Sequence, residues 1–303
     1  MKKKLTCLML CLALVLVSLT GCGEEPATVE SLVKDIKANT TDCKSAQINM
    51  GMSFGLVVSA PEAGATMTMY LDGDLDAKRY NDIESVLCDF NLDVEGETAD
   101  YQLELYTQLT DDGAELYIHD DSTDTWYKMQ YEAASMVVTD LTDVQDKLTL
   151  AEDTEDVDGT ECYVMTGTLN GEDLMDILKN SEDDEDVDSA KEIEDSLAEL
   201  EQMLGVQFDL TNLVADLKIC VDKETKLPVS YSIDLGNSDI SALNELVSAL
   251  AEVQMELEID TAVIDMKYSD FDKVDKFELP DEAKDAQEVT EEELGSLLGA
   301  GLM

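Results

Sequence analysis

The sequence predicts an α+β fold built on a curved antiparallel sheet, and three observations predict it. Apolar residues recur at every second position in several consecutive long segments, helical spacing is confined to short stretches, and one late strand slips in phase along its length. A period of two sends successive side chains to opposite sheet faces, so each alternating segment reads as a strand with one dry and one wet side.

The elements follow in order. Val29, Leu32, Val33 and Ile36 share one helical face, predicting an amphipathic helix from Thr28 to Ala38 that Asn39-Thr40-Thr41-Asp42 ends. Ile48, Met50, Met52, Phe54 and Leu56 then alternate with polar or small residues. Met67, Met69 and Leu71 do the same, as do Val86, Cys88, Phe90, Leu92 and Val94, and Tyr101, Leu103 and Leu105. Pro61-Glu62-Ala63-Gly64, Gly96-Glu97 and Asp111-Asp112-Gly113 supply turns, so these strands read as a meander. Shorter strands are expected at Glu115 to His119, Thr125 to Gln130 and Thr160 to Leu169. A helical insertion over about 171–205 comes next, marked by Leu174, Ile177 and Leu178 and by the stripe Ile193, Leu197, Leu200 and Leu204. Within it the like-charge block Ser181 to Asp186 reads as a solvated loop. The sheet resumes at Leu217 to Val221 and Leu227 to Leu235, and a short helix at Ile240 to Leu250 precedes the last long strand. In that strand Val253, Met255, Leu257, Ile259 and Thr261 keep one phase while Ile264, Met266 and Tyr268 take the other, which is the mark of a β-bulge and of strong sheet curvature.

The chain start carries an address. Lys2, Lys3 and Lys4 precede an apolar run from Leu5 to Leu19, the layout of a secretory signal and too short to span a bilayer comfortably. Leu19-Thr20-Gly21-Cys22 resembles the lipobox of bacterial lipoproteins. The resemblance implies cleavage before Cys22 and a diacylglyceryl group on its thiol, with acyl chains such as palmitate. Two chains anchor a protein stably where one does not. The expected organisation is a signal at 1–21, a tether at 22–27, a domain at 28–282 and an acidic tail at 283–303 with a short capped helix (Thr290, Glu293). Gly23 to Pro26 spans only about 15 Å, holding the domain close to the membrane.

Formal charge is −51, and losing the three signal lysines takes the mature form to −54. Such a surface repels nucleic acid and anionic head groups. It solvates the domain, or alternatively docks a basic partner. Of seven cysteines, Cys7 and Cys11 leave with the signal and Cys22 takes lipid; Cys43, Cys88, Cys162 and Cys220 allow three pairings or remain free thiols.

Asp222-Lys223-Glu224-Thr225-Lys226-Leu227-Pro228-Val229 matches a D-x-x-T-x-x-P turn between strands, and Phe277-Glu278-Leu279-Pro280 follows near the end. With the overall layout, these residues resemble the LolA/LppX-like lipoproteins. That resemblance implies an open half-barrel whose concave apolar face is partly covered by helices and binds acyl chains or lipids, on the extracytoplasmic side of the membrane of a Gram-positive bacterium.

No nucleophile elbow, zinc-protease motif or phosphate-cradling loop is present, and the only histidine, His119, has no second histidine with which to share a metal. Thr154 to Gly159 fails as a calcium loop, because Met165 stands where the closing glutamate belongs, and Asp158-Gly159 reads as a hairpin turn. Trp126, Tyr127 and Tyr131 are the aromatic residues that could form a small platform. The reading is therefore a binding protein, not an enzyme, with no metal or cofactor. Its candidate apolar pocket is Met50, Met52, Met67, Met69, Phe90 and Leu257, since flexible thioethers suit adaptable surfaces. The alternative is a surface adaptor with an anionic docking face and no small ligand.

Overall fold

The structure is a computed structural model that describes residues 26–41, 43–62, 64–110, 113–120, 123–131, 141–173, 212–241, 244, 248, 254–290 and 293. Cys22 and the signal, most of the insertion at 171–205, most of the segment read as a helix at 240–250 and nearly all of the final capped helix lie outside the described residues.

Helix α1 runs Val29–Thr41. Its start is a reciprocal cap, with the Ser31 backbone N–H donating to Thr28 Oγ1 at 3.1 Å and the Thr28 N–H donating to Ser31 Oγ at 2.9 Å. It continues past the expected Ala38 to Thr41, where the Thr40 and Thr41 hydroxyls also bond back to the carbonyls of Ile36 and Lys37 and the Cys43 N–H donates to the Thr40 carbonyl, filling one of the acceptors the helix end leaves bare.

Among the described residues thirteen strands form one open sheet. In chain order they are β1 Ser45–Ala60, β2 Ala65–Tyr80, β3 Ile83–Val94, β4 Glu97–Thr110, β5 Gly113–Asp120, β6 Thr125–Tyr131, β7 Leu148–Leu150, β8 Glu155–Val157, β9 Thr160–Asn170, β10 Val214–Asp222, β11 Pro228–Asp234, β12 Glu256–Ser269 and β13 Gln287–Glu288. Their order across the sheet is β13-β6-β5-β4-β3-β2-β1-β12-β11-β10-β9-β7, with β8 also on β9. Every pair is antiparallel except β13 on β6. This is the curved, open antiparallel sheet that the alternation predicts.

The phase slip of the last strand is a bulge. Gly55 pairs with Thr261 and Leu56 with Ile259, leaving Asp260 over on β12. A Cβ on Gly55 would stand 2.8 Å from the Tyr70 ring, so the tyrosine lies across the glycine. The Tyr70 hydroxyl hydrogen-bonds the bulged Asp260, whose carboxylate pushes that phenol's pKa up. Bulge and glycine together bend the sheet here.

Two hairpins close as their residues dictate. Asp158 and Gly159 both take positive φ (51° and 89°), the conformation a two-residue turn needs to match strand twist. At the β10–β11 turn Asp222 accepts from the Glu224 N–H at 2.8 Å and from the Thr225 hydroxyl at 2.7 Å, and buried Pro228 starts the next strand. Burial alone would raise the Asp222 carboxyl, but these bonds and Lys226 outweigh it and hold its pKa low.

The segment from 283, expected as a tail, begins inside the sheet. Ala283 is fully buried, and Gln287 and Glu288 pair with Tyr127 and Lys128 of β6. Two residues carry too little pattern to be read as a strand.

Candidate functional site

Cross-strand partners share a sheet face, so the register assigns every side chain to one side. On the inner face the rows run across the sheet. Tyr268, Ile48, Ala77, Val86, Leu105 and Ile118 form one; Tyr231, Met266, Met50, Leu75, Cys88 and Leu103 the next; Ile233, Ile264, Met52, Gly73, Phe90 and Tyr101 the third. Beyond them lie Ala262, Phe54, Leu71 and Leu92, then Ile259, Leu56, Met69 and Val94, then Leu257, Val58 and Met67.

The rows divide into two zones. Leu32, Val33 and Ile36 of α1 join Ile48, Ala77, Val86, Cys88, Ile219 and Tyr268 in one buried core. Met50, Met52 and Phe90 pack against its margin. From the Met52 row outward the side chains are mostly half-exposed, with Met67 at 38%, although Ala262 and Met67's partner Val58 stay buried. A Cβ on Gly73 would come within 2.8 Å of the Phe90 ring and 2.9 Å of Met52 Cγ, so these two close over the bare backbone at the boundary.

All six candidate pocket residues thus lie on the inner face, in two groups. Met52 and Phe90 flank Gly73, with Met50 one row inward; Met67, Met69 and Leu257 occupy the two outermost rows. Met50 and Val58 are eight steps apart on β1, roughly 27 Å along the strand.

The outer face is acidic. Asp72, Asp74 and Asp76 of β2 stand beside Asn91, Asp89 and Leu87 of β3. A shallow depression of about 300 Å³ around Gly51 is lined by Asn49, Asp74, Asp76, Asp89, Asp265 and Lys267. Its carboxylates are interleaved with amides: Gln47 and Asn49 donate to Asp76 Oδ1 at 2.9 and 3.0 Å, and Gln102 donates to Asp89 Oδ1 at 2.6 Å. Among the described residues no three His, Cys, Asp or Glu side chains converge as metal ligands.

The aromatic platform divides between faces. Trp126 and Tyr127 are consecutive strand residues and point oppositely; Tyr127 is buried, while Trp126 stacks on His119 with ring centroids 4.7 Å apart and meets Tyr106 at 5.9 Å. His119 Nε2 lies 3.3 Å from the exposed Asp124 carboxylate. All four remaining cysteines are free. Cys162 and Cys220 share a small outer cluster with Val164, and burial, with lesser help from Cys220 and nearby carboxylates, pushes the Cys162 thiol up to about 11.

One feature of the inner face carried no sequence signal: Tyr231, 6% exposed, has a buried hydroxyl without a hydrogen-bond partner among the described residues. Periodicity places a tyrosine on a face but is silent on what its hydroxyl meets.

An open antiparallel half-barrel with an acidic exterior and one continuous apolar face, closed by a helix at one end, defines the class. The chain belongs to a family of unknown function, DUF6612, whose model matches residues 28–288. Among solved structures it is similar to the lipoprotein LppX of Mycobacterium tuberculosis, at 12% identity over 82% of this chain and 98% of that one, with a TM-score of 0.38. It is also similar to LprF of Mycobacterium bovis, at 9% identity over 83% and 96% of the two chains and a TM-score of 0.40. A domain from Vibrio parahaemolyticus described as an outer membrane lipoprotein-sorting protein matches at 8% identity over 85% and 98%, with a TM-score of 0.25. No curated protein sequence matches the chain. No described helix is long and apolar enough to cross a membrane.

Proposed function

We propose that this protein is an extracytoplasmic lipoprotein, anchored through Cys22, that holds an apolar ligand such as a lipid or acyl chain against the open half of its inner face. The observation that carries this reading is the continuation of apolar rows three deep beyond the core margin, through Phe54, Leu71, Met69, Ile259, Leu257 and Met67, on strands whose other side is acidic. Apolar surface left half-exposed costs free energy that a hydrocarbon chain recovers. Met50, Met52, Met67, Met69, Phe90 and Leu257 line the path, and thioethers adapt to chains of differing shape.

The test is mass spectrometry of organic extracts from the chain beginning at residue 22 with Cys22→Ser, purified without detergent. A co-purifying lipid in about one-to-one ratio is the expected result; a ligand-free protein that also extracts nothing from vesicles sinks the reading.

A second reading rests on the outer face, where Asp72, Asp74, Asp89, Asp93 and Asp100 gather on three adjacent strands. It makes the protein an adaptor for a basic partner. Binding of such a partner that fades with salt, in a chain that takes up no lipid, is what would favour it.

A further inference from the structure

Tyr231 belongs to the buried core, one row inward of the half-exposed zone of the inner face. Its cross-strand neighbours are Ile219 and Met266, and its ring meets Tyr268 edge-on with centroids 5.2 Å apart. The charged residues of these three strands nearest Tyr231 (Asp216, Lys218, Asp234, Asp265, Lys267) fall on the opposite phase and face outward, as do Asp222, Glu256 and Glu258. The hydroxyl therefore sits in an apolar setting, 6% exposed at the residue level and with no partner among the described residues. A phenol so placed has given up its hydrogen bonds to water, and native proteins seldom leave that loss uncompensated. Its row continues through Met266 to Met50, and the next row outward holds Ile233, Ile264, Met52 and Phe90, where the half-exposed surface begins.

We propose that Tyr231 is the polar anchor of the ligand site: its hydroxyl donates a hydrogen bond to the uncharged carbonyl oxygen of an acyl ester, whose chain then lies outward along the Met52 and Met69 rows. This rests on the ligand-binding reading above and adds to it a residue and a chemical class. Apolar sites fix the orientation of what they hold with a few placed polar groups, and a tyrosine hydroxyl is one of the usual kinds. An uncharged acceptor is required. No cation lies on the inner phase of β10, β11 or β12, so a carboxylate or phosphate would be buried unpaired.

The test uses the chain from residue 22 with Cys22→Ser and two probes of equal length, a pyrene-labelled long-chain methyl ester and the corresponding pyrene-labelled alkane. The unsubstituted Tyr231 protein should hold the ester roughly tenfold more tightly than the alkane, the worth of one well-made hydrogen bond. Tyr231→Phe should erase that preference by weakening the ester alone, while Tyr268→Phe, whose hydroxyl sits 3.9 Å from Met266 Sδ, should keep it. Phenylalanine is nearly isosteric and removes a group that no described residue holds, so the fold should survive. A second readout needs no variant: the carbonyl stretch of the bound, carbon-13-labelled ester should shift to lower frequency. Equal affinity of Tyr231→Phe and its parent for the ester, or an unshifted carbonyl, overturns the anchor and leaves the carrier reading standing. Binding of neither probe overturns both.

Discussion

The two ends of the inner face are written in the same alternating code and end in different states. Near α1, Ile48, Val86 and Cys88 are 3–4% exposed; eight to ten residues along the same strands, Met67 is 38% exposed and its neighbours Met69, Val94 and Leu257 are half-buried. The alternation is continuous, the hydrogen-bond ladder is continuous, and what changes is what packs on top. Among the described residues, Leu32, Val33 and Ile36 supply an apolar second layer at the α1 end, whereas the far end is met by Asn244 and Ser248, which hydrogen-bond the backbone of Leu257 and Met255. Apolar periodicity therefore specifies which side of a strand is dry, whereas a core needs a partner layer at packing density.

The sharpest way to break this comparison is to delete the same kind of side chain at both ends. Ile36→Ala should cost about 3 kcal/mol, the usual loss for a large side chain removed from a filled core, read as a lowered urea midpoint. An unchanged midpoint would mean that α1 does not close that end. At the boundary, Gly73→Val should cost about 1–3 kcal/mol by forcing Phe90 and Met52 apart. A smaller effect would show that the two side chains swing clear, as half-exposed ones can.

The β10–β11 turn provides a measure independent of either zone. Asp222→Ala should cost about 1–2 kcal/mol, since it removes a charged acceptor from two hydrogen bonds. The folded carboxyl titrates below the ordinary 3.8, so its stabilisation is complete above that value and disappears as pH falls through the depressed one. The substitution should accordingly flatten the acid limb of a stability-versus-pH curve, and a parallel shift of the whole curve would count against this role.

Met67→Ala at the open end should change stability by less than about 0.5 kcal/mol, the range for a surface position. It should nonetheless weaken uptake of a long-chain probe roughly threefold through lost apolar contact. A loss of stability as large as that of Ile36→Ala would erase the distinction between the ends. The smallest effect concerns thiols. With Cys88, Cys162 and Cys220 buried, half-exposed Cys43 should be alkylated first at mildly alkaline pH, as peptide mapping would report.

Much of this architecture could be read from residues alone. The alternations of β1, β3 and β4, the turn at Asp222 to Pro228 and the bulge in β12 all leave local traces, because each depends on side chains close in sequence. The full length of β2 did not. Its dry positions beyond Leu71 are Gly73, Leu75 and Ala77, and small residues there make no apolar stripe. Short β7, β8 and β13 escaped for another reason: two or three residues hold no period, and only their partners define them. For the site, the sequence marked Met52 and Phe90 as apolar-phase residues, but their closure over Gly73 is a cross-strand event between chain segments about 20 residues apart in each step. Tyr231 was legible as an inner-face residue and illegible as an orphaned donor, since a hydroxyl's partners are set by three-dimensional packing.

The sheet's margins carry a last consequence. A long open sheet exposes two rows of unpaired backbone groups, each a template on which another chain could polymerise. Here the described path ends on one side in β13, two residues including Glu288, and on the other in the three residues of β7. These stubs cover Tyr127 and Lys128 of β6 and six residues of β9, breaking each long edge into shorter stretches, and charge beside the backbone discourages a neighbour from pairing there. The sheet thus pairs one broad apolar side with interrupted, charged rims, and it is the rims that bear on the stacking that turns open sheets into fibrils.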